Sequence, residues 1–531
     1  MRLIKKIDIK KYSNFLVFSI TLVPLILFLY VTWNRITLPF VFEWGESAGV
    51  NQINRILSGG ILYGQPDLSF SPLVYTPLYY YLSAGLSAII GNPLFSGRVV
   101  SLASTVGSVV LIGKLIQKET KNSLLAWISG MFYLACFMLG DGFYDLVRVD
   151  SLYILFILIA FSVVLRAQNK AEYLVFGLLV VLGFFIKQSF IFVFLPLHVY
   201  LLYKYKGDSW TAFAVEIIGL AVPLFLINRY TDSWFFYYIF ELPKEHGYSL
   251  ISAVNFWIGD TIRPIGIGFV FSLVFLLASK FDFLPVKSDT NVEDRKPGQA
   301  GSRDRWLIYL LFFAGAAGTA WITRSANGGG ANNCMVIYAA LAISFGLGAG
   351  LVLKNRWVEE NPWFYAFIAF VISIQFIGLF YNPFNFLPTD DEIRLNERMA
   401  ERIKYSDFQV FIPYRSHLSY ELNSSPQIHV VNLFELTGYF KGEVQPDAYA
   451  LVNNIKTAVC QQTYGLIVLD QPLPWIDEQI NQAYLLEQDL SGLEYQKSNL
   501  LRWQQGNSRT YLPKENFNIE QCLSSISMGQ D

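Results

Sequence analysis

The sequence predicts an α-helical polytopic membrane protein that carries a soluble α/β domain at its C-terminal end. Of its 531 residues, 53% are hydrophobic and only 15% are charged, whereas a soluble protein carries about 25% charged residues. The apolar residues fall in blocks long enough to cross a bilayer, which takes about 20 helical residues. From Tyr381 onward, 19 acidic residues face only 11 basic ones, which indicates a separate soluble domain.

The transmembrane part is expected to occupy residues 1–381 and to contain about 11 spans. The first apolar block, 15–33, follows a basic stretch and is not followed by a small-residue cleavage site, so we expect a retained span. The further spans are expected at 99–115, 124–139, 152–165, 173–186, 190–202, 213–227, 256–278, 306–322, 335–352 and 363–381.

One more apolar segment, 73–90, decides the topology. If it makes no net crossing, the basic clusters fall on the cytoplasmic side, as the positive-inside rule requires. We therefore expect this segment to dip into the membrane or lie shallow, with the N-terminus cytoplasmic and the C-terminal domain, 382–531, extracytoplasmic. The outer face then collects loop 34–72, turn 141–150, loop 230–253 and segment 323–333, while 281–305 forms a cytoplasmic linker.

The C-terminal domain has the mixed pattern of an α/β fold. Short apolar runs predict strands at 408–413, 428–432 and 465–470, and helical patterns lie between them at 448–461 and 476–486. It contains no nucleophile motif or phosphate loop, which favours the role of a lid or of an acceptor-docking domain. Cys460 and Cys522 could pair if the domain is extracytoplasmic, and the four cysteines show no metal-ligand spacing.

Two acids follow the first span, in the run Glu43-Trp44-Gly45-Glu46. Three residues apart, they share one face of a helix or turn. Carboxylates at this boundary suit a general base that deprotonates an acceptor hydroxyl, with the second acid in a supporting or metal-binding role. Two solvated loop carboxylates are the competing interpretation.

Several cations are expected near the same face. Arg148 and Asp150 open a span, where a charged pair is costly and marks either a functional site or a helix-end salt bridge. Lys187 interrupts two apolar segments and suits a phosphate ligand, although it could also extend to the interface. Arg324 lies in a Gly-rich turn, where it could pair a phosphate or belong to a plain tight turn. Weaker candidates for substrate contact are Tyr75, Arg98, Asn327 and His246, a lone histidine without zinc-site spacing.

The order of motifs in the first third of the chain resembles a known superfamily. Glu46 opens a run that ends in Ser-Gly-Gly-Ile-Leu-Tyr63, which is followed by Ser71-Pro-Leu-Val-Tyr-Thr-Pro77-Leu-Tyr-Tyr-Tyr81 and then by Gly97-Arg98. Over roughly residues 35–200 this order and spacing resemble the GT-C glycosyltransferases, in the branch of the protein O-mannosyltransferases and lipid A aminoarabinose transferases. The family's Asp-Glu pair is Gly45-Glu46 here, and its Pro-Pro-Leu is Thr76-Pro77-Leu78, so Glu46 matches the second acid and Glu43 is an extra one.

The resemblance implies a glycosyltransferase that moves a sugar from a polyprenyl-phosphate carrier to an acceptor hydroxyl with inversion. Glu46 would take the proton, and Arg148, Lys187 and Arg324 would hold the donor phosphate and stabilise the charge that develops on it. No cofactor or metal is required if cations neutralise the phosphate, although two acids in one loop leave a divalent ion possible. The acceptor is left open between a lipid, a polysaccharide and a protein.

The main alternative is a transporter or flippase of a lipid-linked glycan. Against it stand the lack of an internal repeat or of paired broken helices, and the charges gathered on one face. A non-catalytic scaffold would leave Glu46, Arg148 and Lys187 scattered. Nothing in the sequence suggests a nucleic-acid partner. The expected location is the bacterial inner membrane, because the linker and tail carry no endoplasmic reticulum retention signal.

Overall fold

The computed structural model of the protein describes residues 8–205, 207–278, 302–406, 409–421, 425–438, 448–489 and 509–528. A bundle of long apolar helices is followed by a small C-terminal sheet with helices around it. This architecture confirms the predicted fold class. Most of the linker expected at 281–305 lies outside the described residues.

Every expected span coincides with a helix. The helices of the membrane part are α1 (Ile9–Arg35), α2 (Trp44–Leu57), α3 (Leu78–Ile90), α4 (Pro93–Thr120), α5 (Ser123–Ala135), α6 (Val149–Val164), α7 (Lys170–Ile186), α8 (Phe190–Lys204), α9 (Ser209–Tyr230), α10 (Leu250–Leu277, with a π-helical stretch at Phe256–Ile262), α11 (Ser302–Ser325), α12 (Met335–Leu353) and α13 (Pro362–Gly378). Among the described residues, six helices are long and apolar enough to cross a membrane, or seven if one bent pair counts as a span. The number of 11 spans stays a prediction.

The segment that decides the topology forms a tight hairpin. α3 ends at Gly91, whose φ of 84° is the left-handed conformation that glycine adopts without strain. α4 then starts at once, because Asn92 accepts the backbone N–H of Phe95 at 2.9 Å and Pro93 occupies the first helical position. With 13 residues, α3 is about 20 Å long, which is short for about 30 Å of hydrocarbon. That it makes no net crossing stays a prediction.

The bundle has a distinct centre and edge. In α12, 83% of the apolar stretch is buried inside the protein, whereas in α9 only 11% is buried. Small residues allow the central contact: a Cβ on Gly348 would lie 1.8 Å from the carbonyl oxygen of Phe271 in α10. Such close backbone approach is typical of packing between membrane helices, and α9 presents most of its surface to lipid.

The C-terminal domain is built on a four-stranded mixed sheet of order β1-β2-β4-β3. β1 (Val410–Phe411) runs parallel to β2 (Leu466–Leu469), and β4 (Arg509–Pro513) is antiparallel to both β2 and β3 (Tyr484–Asp489). The longer helices of this domain are α14 (Asp390–Lys404), α15 (Val430–Leu436), α16 (Tyr449–Cys460), α17 (Asp477–Ala483) and α18 (Ile519–Met528). Cys460 and Cys522 form a disulfide.

Two predicted elements of this domain are wrong. The run at 428–432 is not a strand: α15 starts there, and the ring nitrogen of His429 accepts the backbone N–H of Val431 at 3.1 Å. A short apolar run cannot be assigned to strand or helix by its periodicity. The helix expected at 476–486 ends at Ala483, and strand β3 follows directly.

The loops that were predicted to face outward share one hydrophobic core with the C-terminal domain. Trp44, Tyr63 and Phe235 from the loops belong to the same buried cluster as Tyr414 and Phe434 from the C-terminal domain. The domain therefore packs directly on the outer loops, and α2 lies between it and the membrane bundle.

Candidate active site

The site begins at the first residue of α2. Glu43 caps this helix: its Oε2 accepts the backbone N–H of Gly45 at 2.6 Å, and its Oε1 accepts a hydrogen bond from Nη1 of Arg148 at 2.9 Å. Gly45 makes this pair possible, because a Cβ at this position would lie 2.1 Å from the same Nη1. Arg148 stays 16% exposed and Glu43 7% exposed, so Arg148 keeps some contact with solvent while Glu43 is buried.

Glu46 has a different environment, since all four of its acceptor positions are occupied. Its Oε1 accepts from Nε of Arg98 at 2.8 Å and from the backbone N–H of Val147 at 3.2 Å. Its Oε2 accepts from Nη2 of Arg98 at 2.9 Å and from the backbone N–H of Phe42 at 2.8 Å. Burial would raise the pKa of Glu46, but Arg98 and the two N–H groups outweigh burial and lower it.

Arg98 is equally committed. Besides Glu46, it donates to the backbone carbonyl groups of Arg35, Leu38 and Phe40, so all five of its N–H groups are used. Both side chains of the Arg98–Glu46 pair are 0% exposed. These contacts do not fit the predicted roles of Glu46 as the base and of Arg98 as a substrate ligand. They fit a buried ion pair that fixes loop 34–46.

A second buried ion pair, which the sequence did not reveal, lies beside the first. Arg35 donates from Nε to Oδ2 of Asp145 at 2.8 Å and from Nη2 to the carbonyl oxygen of Gly142 at 2.6 Å. It joins the end of α1 to the turn between α5 and α6. The two buried ion pairs together fix the positions of the two loops that carry Glu43 and Arg148.

Asp150 is buried between the two cations of the site. Its Oδ1 accepts from Nζ of Lys187 at 2.8 Å, and its Oδ2 lies 3.5 Å from Nε of Arg148. Asn332 donates to Oδ2 at 3.0 Å, and Lys187 also donates to Oδ1 of Asn333 at 3.1 Å. The structure thus brings together four predicted residues. It adds two asparagines whose only signal in the sequence is their place before α12.

Aromatic rings complete the environment of Lys187. Its Nζ lies 5.6 Å from the ring centre of Tyr75 and 5.5 Å from that of Tyr153, within the range of cation–π attraction. The predicted weaker candidate Tyr75 therefore belongs to the site. Behind Asp150 and Lys187 lies a cavity of about 10 Å³, which has room for about one water molecule.

Arg324, Asn327 and His246 are placed differently. Arg324 donates to Asp260 at 2.8 Å and to the carbonyl oxygen of Gly329 at 2.8 Å, and these contacts lie within its own turn and α10. The backbone N–H of Asn327 donates to the carbonyl oxygen of Gly247 at 2.8 Å. His246 contacts Glu435 of the C-terminal domain through Nε2. Lys187 and Arg148 therefore lie together at Asp150, whereas Arg324 lies with Asp260 in a neighbouring cluster.

Asp141 lies between the cluster around Arg148 and the cluster around Arg324. Its Oδ2 accepts the backbone N–H of Ala331 at 3.1 Å. Burial raises the pKa of Asp141, while that N–H and the charges of Arg148 and Arg324 act in the opposite direction. The turn before α6 and the turn before α12 therefore form one continuous polar surface.

The C-terminal domain covers α2 through specific contacts. Trp44 packs on Tyr414 with ring centres 5.0 Å apart. Ser47 and Nδ1 of His417 form a hydrogen bond of 2.7 Å, and Asn51 donates to Ser416 at 3.1 Å. Because these residues lie in the first two turns of α2, the domain fixes the helix end that carries Glu43. In the described part of the chain, no three His, Cys, Asp or Glu side chains come close enough to hold a metal ion.

One family model and several solved structures match this chain. A family model described as dolichyl-phosphate-mannose-protein mannosyltransferase matches residues 74–229. The structure resembles ArnT from Cupriavidus metallidurans in the apo state, with a TM-score of 0.59 at 11% identity, over 93% of this chain and 97% of that one. It also resembles the same protein bound to undecaprenyl phosphate, with a TM-score of 0.58 at 10% identity and the same coverage.

A third solved structure, the oligosaccharyltransferase of Archaeoglobus fulgidus in the apo form, matches with a TM-score of 0.54 at 11% identity, over 88% of this chain and 70% of that one. No sequence among curated proteins matches significantly. At such low identities the structural likeness establishes the fold. The predicted resemblance to the GT-C superfamily is confirmed, and the chain is an integral membrane protein with the GT-C glycosyltransferase fold.

Proposed function

We propose that this protein transfers a sugar from a polyprenyl-phosphate carrier to an acceptor hydroxyl at the outer face of the membrane, with inversion at the anomeric carbon. The observation that carries the proposal is the line of charges Glu43, Arg148, Asp150 and Lys187 at one end of the bundle. It is supported by the likeness to ArnT, whose structure was solved with undecaprenyl phosphate.

The donor phosphate is bound by Arg148 and Lys187. Both cations lie next to Asp150, at 3.5 and 2.8 Å, so the carboxylate sets the distance between them. A phosphate that reaches the exposed part of Arg148 would meet two positive groups already held in place by Asp150, at little cost in reorganisation. In this proposal the two cations neutralise the phosphate and no divalent metal is needed.

Glu43 is the base. Two of its four acceptor positions are occupied, by Arg148 and by the N–H of Gly45, which leaves positions for the hydroxyl of an acceptor. When the donor phosphate attracts Arg148, the carboxylate of Glu43 loses its strongest partner and becomes free to accept a proton. This assignment replaces the sequence-based choice of Glu46, which has no free acceptor position.

The reaction is a single displacement. The acceptor oxygen forms a bond to the anomeric carbon as its proton passes to the carboxylate of Glu43. The bond between that carbon and the phosphate oxygen breaks, and the electron pair leaves with the phosphate. Arg148 and Lys187 stabilise the second negative charge that appears on the departing phosphate.

The C-terminal domain is proposed to lie outside the cytoplasm and to cover the acceptor side. The disulfide between Cys460 and Cys522 favours an oxidising compartment. His246 and Glu435, which join the outer loop to this domain, would then border the path by which the acceptor enters. The acceptor is a lipid, a polysaccharide or a protein, and the proposed location is a bacterial inner membrane.

The test is transfer from a panel of synthetic polyprenyl-phosphate sugars, with and without EDTA, by the purified full chain. We expect transfer that withstands EDTA, and donor binding that is at least about tenfold weaker in Lys187→Gln, since one of two phosphate-binding cations is lost. Lys354→Gln, which removes an exposed lysine of another surface, is the matched control. Donor binding without transfer by wild type would contradict the proposal and favour a flippase.

A further inference from the structure

An apolar groove lies between α4 and α5, far from the candidate active site. Its volume is about 360 Å³, within the range of about 300–1,000 Å³ that small-molecule pockets occupy. The lining residues are Val109, Val110, Gly113, Lys114, Gln117, Ser123, Ala126, Trp127, Gly130 and Met131. Apolar side chains and glycines form most of the wall, and the polar groups of Lys114, Gln117 and Ser123 belong to one end of it.

The groove is built into the packing of the two helices. A Cβ on Gly130 would lie 3.0 Å from the carbonyl oxygen of Val109, so the backbones of α4 and α5 touch at this point. The larger side chains beside this contact stand apart and leave the groove open. Its wall on the side of α1 is fixed, because the indole N–H of Trp127 donates to Thr21 at 2.9 Å.

The groove opens at the membrane face opposite the candidate active site. Arg98, which holds Glu46, and Lys114 lie on the same helix, 16 residues apart, which corresponds to about 24 Å along its axis. This distance approaches the thickness of the hydrocarbon core, about 30 Å. The polyprenyl-phosphate donor proposed above has its phosphate at the other end of α4, so a phosphate bound at Lys114 is not that of this donor.

The rim of the groove is positively charged. Lys114 and Lys118 are exposed on α4, and Lys118 lies within electrostatic range of Lys121, Arg166 and Arg305. Within the described residues, Glu119 lies among these cations and accepts hydrogen bonds from Arg305 and from the hydroxyl of Tyr309. The cluster as a whole thus keeps an excess of positive charge.

We propose that the groove binds an anionic glycerophospholipid, with an acyl chain between α4 and α5 and the headgroup phosphate at Lys114. A chain placed in the groove buries apolar surface, and a basic rim at the cytoplasmic end of membrane helices attracts anionic headgroups. A zwitterionic lipid would fill the groove equally well but would gain little from the charged rim. The acyl chain would fill the groove that lies beside the contact between Gly130 and Val109.

The inference is tested on the purified, delipidated full chain by native mass spectrometry and by thermal unfolding, with phosphatidylglycerol and phosphatidylcholine as probes. We expect phosphatidylglycerol to bind more tightly and to raise the unfolding temperature more. Lys114→Gln should weaken phosphatidylglycerol binding about fivefold, the effect of one lysine at a membrane surface. Val110→Phe should weaken both lipids, because the new ring fills the groove, and Lys354→Gln should change neither.

Equal binding of the two lipids by wild type would overturn the proposal. So would phosphatidylglycerol binding that is unchanged in both Lys114→Gln and Val110→Phe, or that falls equally in Lys354→Gln, since the last result indicates non-specific attraction to charge. Both variants alter exposed side chains, so they are expected to fold. The measurement requires no sugar transfer and is independent of the proposed function.

Discussion

Two substitutions, Glu43→Gln and Glu46→Gln, distinguish the catalytic role proposed for Glu43 from the structural role proposed for Glu46. In Glu46→Gln the guanidinium of Arg98 remains buried at 0% exposure and faces an amide instead of a carboxylate. Breaking a buried ion pair on one side costs about 3–5 kcal/mol. In Glu43→Gln, Arg148 keeps Asp150 at 3.5 Å and the amide oxygen can still cap α2, so we expect a loss of about 1 kcal/mol.

The variant that loses less stability, Glu43→Gln, is expected to lose more activity. Removal of a general base lowers the transfer rate by about 10²–10⁴-fold, so Glu43→Gln should be folded, should bind the donor and should be nearly inactive. Glu46→Gln should unfold at a markedly lower temperature and lose activity only as far as it loses structure. The assays are thermal unfolding of the detergent-solubilised full chain and the single-turnover rate with the donor that wild type uses.

Glu397→Gln, which neutralises an exposed carboxylate of the C-terminal domain, controls for the loss of one negative charge. A Glu46→Gln variant that is as stable as wild type but inactive, together with a Glu43→Gln variant that retains transfer, would contradict the assignment of Glu43 as the base. That outcome would mean that the ion pair with Arg98 opens during the reaction and that Glu46 is the base after all.

Three further results are expected. Gly45→Ala should lower the transfer rate by about 100-fold, because its Cβ displaces Arg148, while Gly85→Ala, which meets no neighbour, should not; equal rates would contradict this. Cys460→Ser should lower the stability of the domain by about 4 kcal/mol for a 62-residue separation, and reductant should bring wild type to the same unfolding temperature. Burial and nearby arginines lower the pKa of His417 to about 3, so the unfolded chain binds the extra proton between pH 6.5 and 3. Stability is therefore lost as the pH falls through this range, by about 1.4 kcal/mol at pH 5.5, and thermal unfolding of His417→Gln should show a smaller pH dependence.

The sequence predicted the helices and the face of the site because both depend on local composition. Apolar blocks define the spans, and the ends of alternate spans meet at one face, so Glu43, Arg148, Asp150 and Lys187 could be expected near one another. The choice of partners could not be predicted. Whether Glu43 or Glu46 faces Arg98 depends on the rotation of α2 about its axis, and both acids follow the same span with similar neighbours in the sequence.

Some residues of the site were not predicted for the same reason, namely that a sequence does not reveal which distant side chains meet. Arg35 and Asp145 are 110 positions apart, and each looks like an ordinary charged residue at a helix end or turn. Asn332 and Asn333 become part of the site only because α12 lies at the centre of the bundle and the turn that precedes it reaches Asp150 and Lys187. In the C-terminal domain, the run at 428–432 is too short for its period to separate helix from strand.

The buried ion pairs explain how the proposed donor site could present two cations to a phosphate while the loops that carry them stay in place. The four charges of Glu43, Arg148, Asp150 and Lys187 sum to zero, so each cation has a carboxylate partner before the donor arrives. Arg98–Glu46 and Arg35–Asp145 occupy the layer beneath and have little exposure, so the loops cannot rearrange to satisfy these charges elsewhere. An incoming phosphate would therefore compete with Glu43 and Asp150, and with Asn333 at Lys187, for cations whose positions are already fixed. Because the carboxylate that loses Arg148 in this exchange is Glu43, the proposed function implies that occupation of the donor site is itself the event that frees the base.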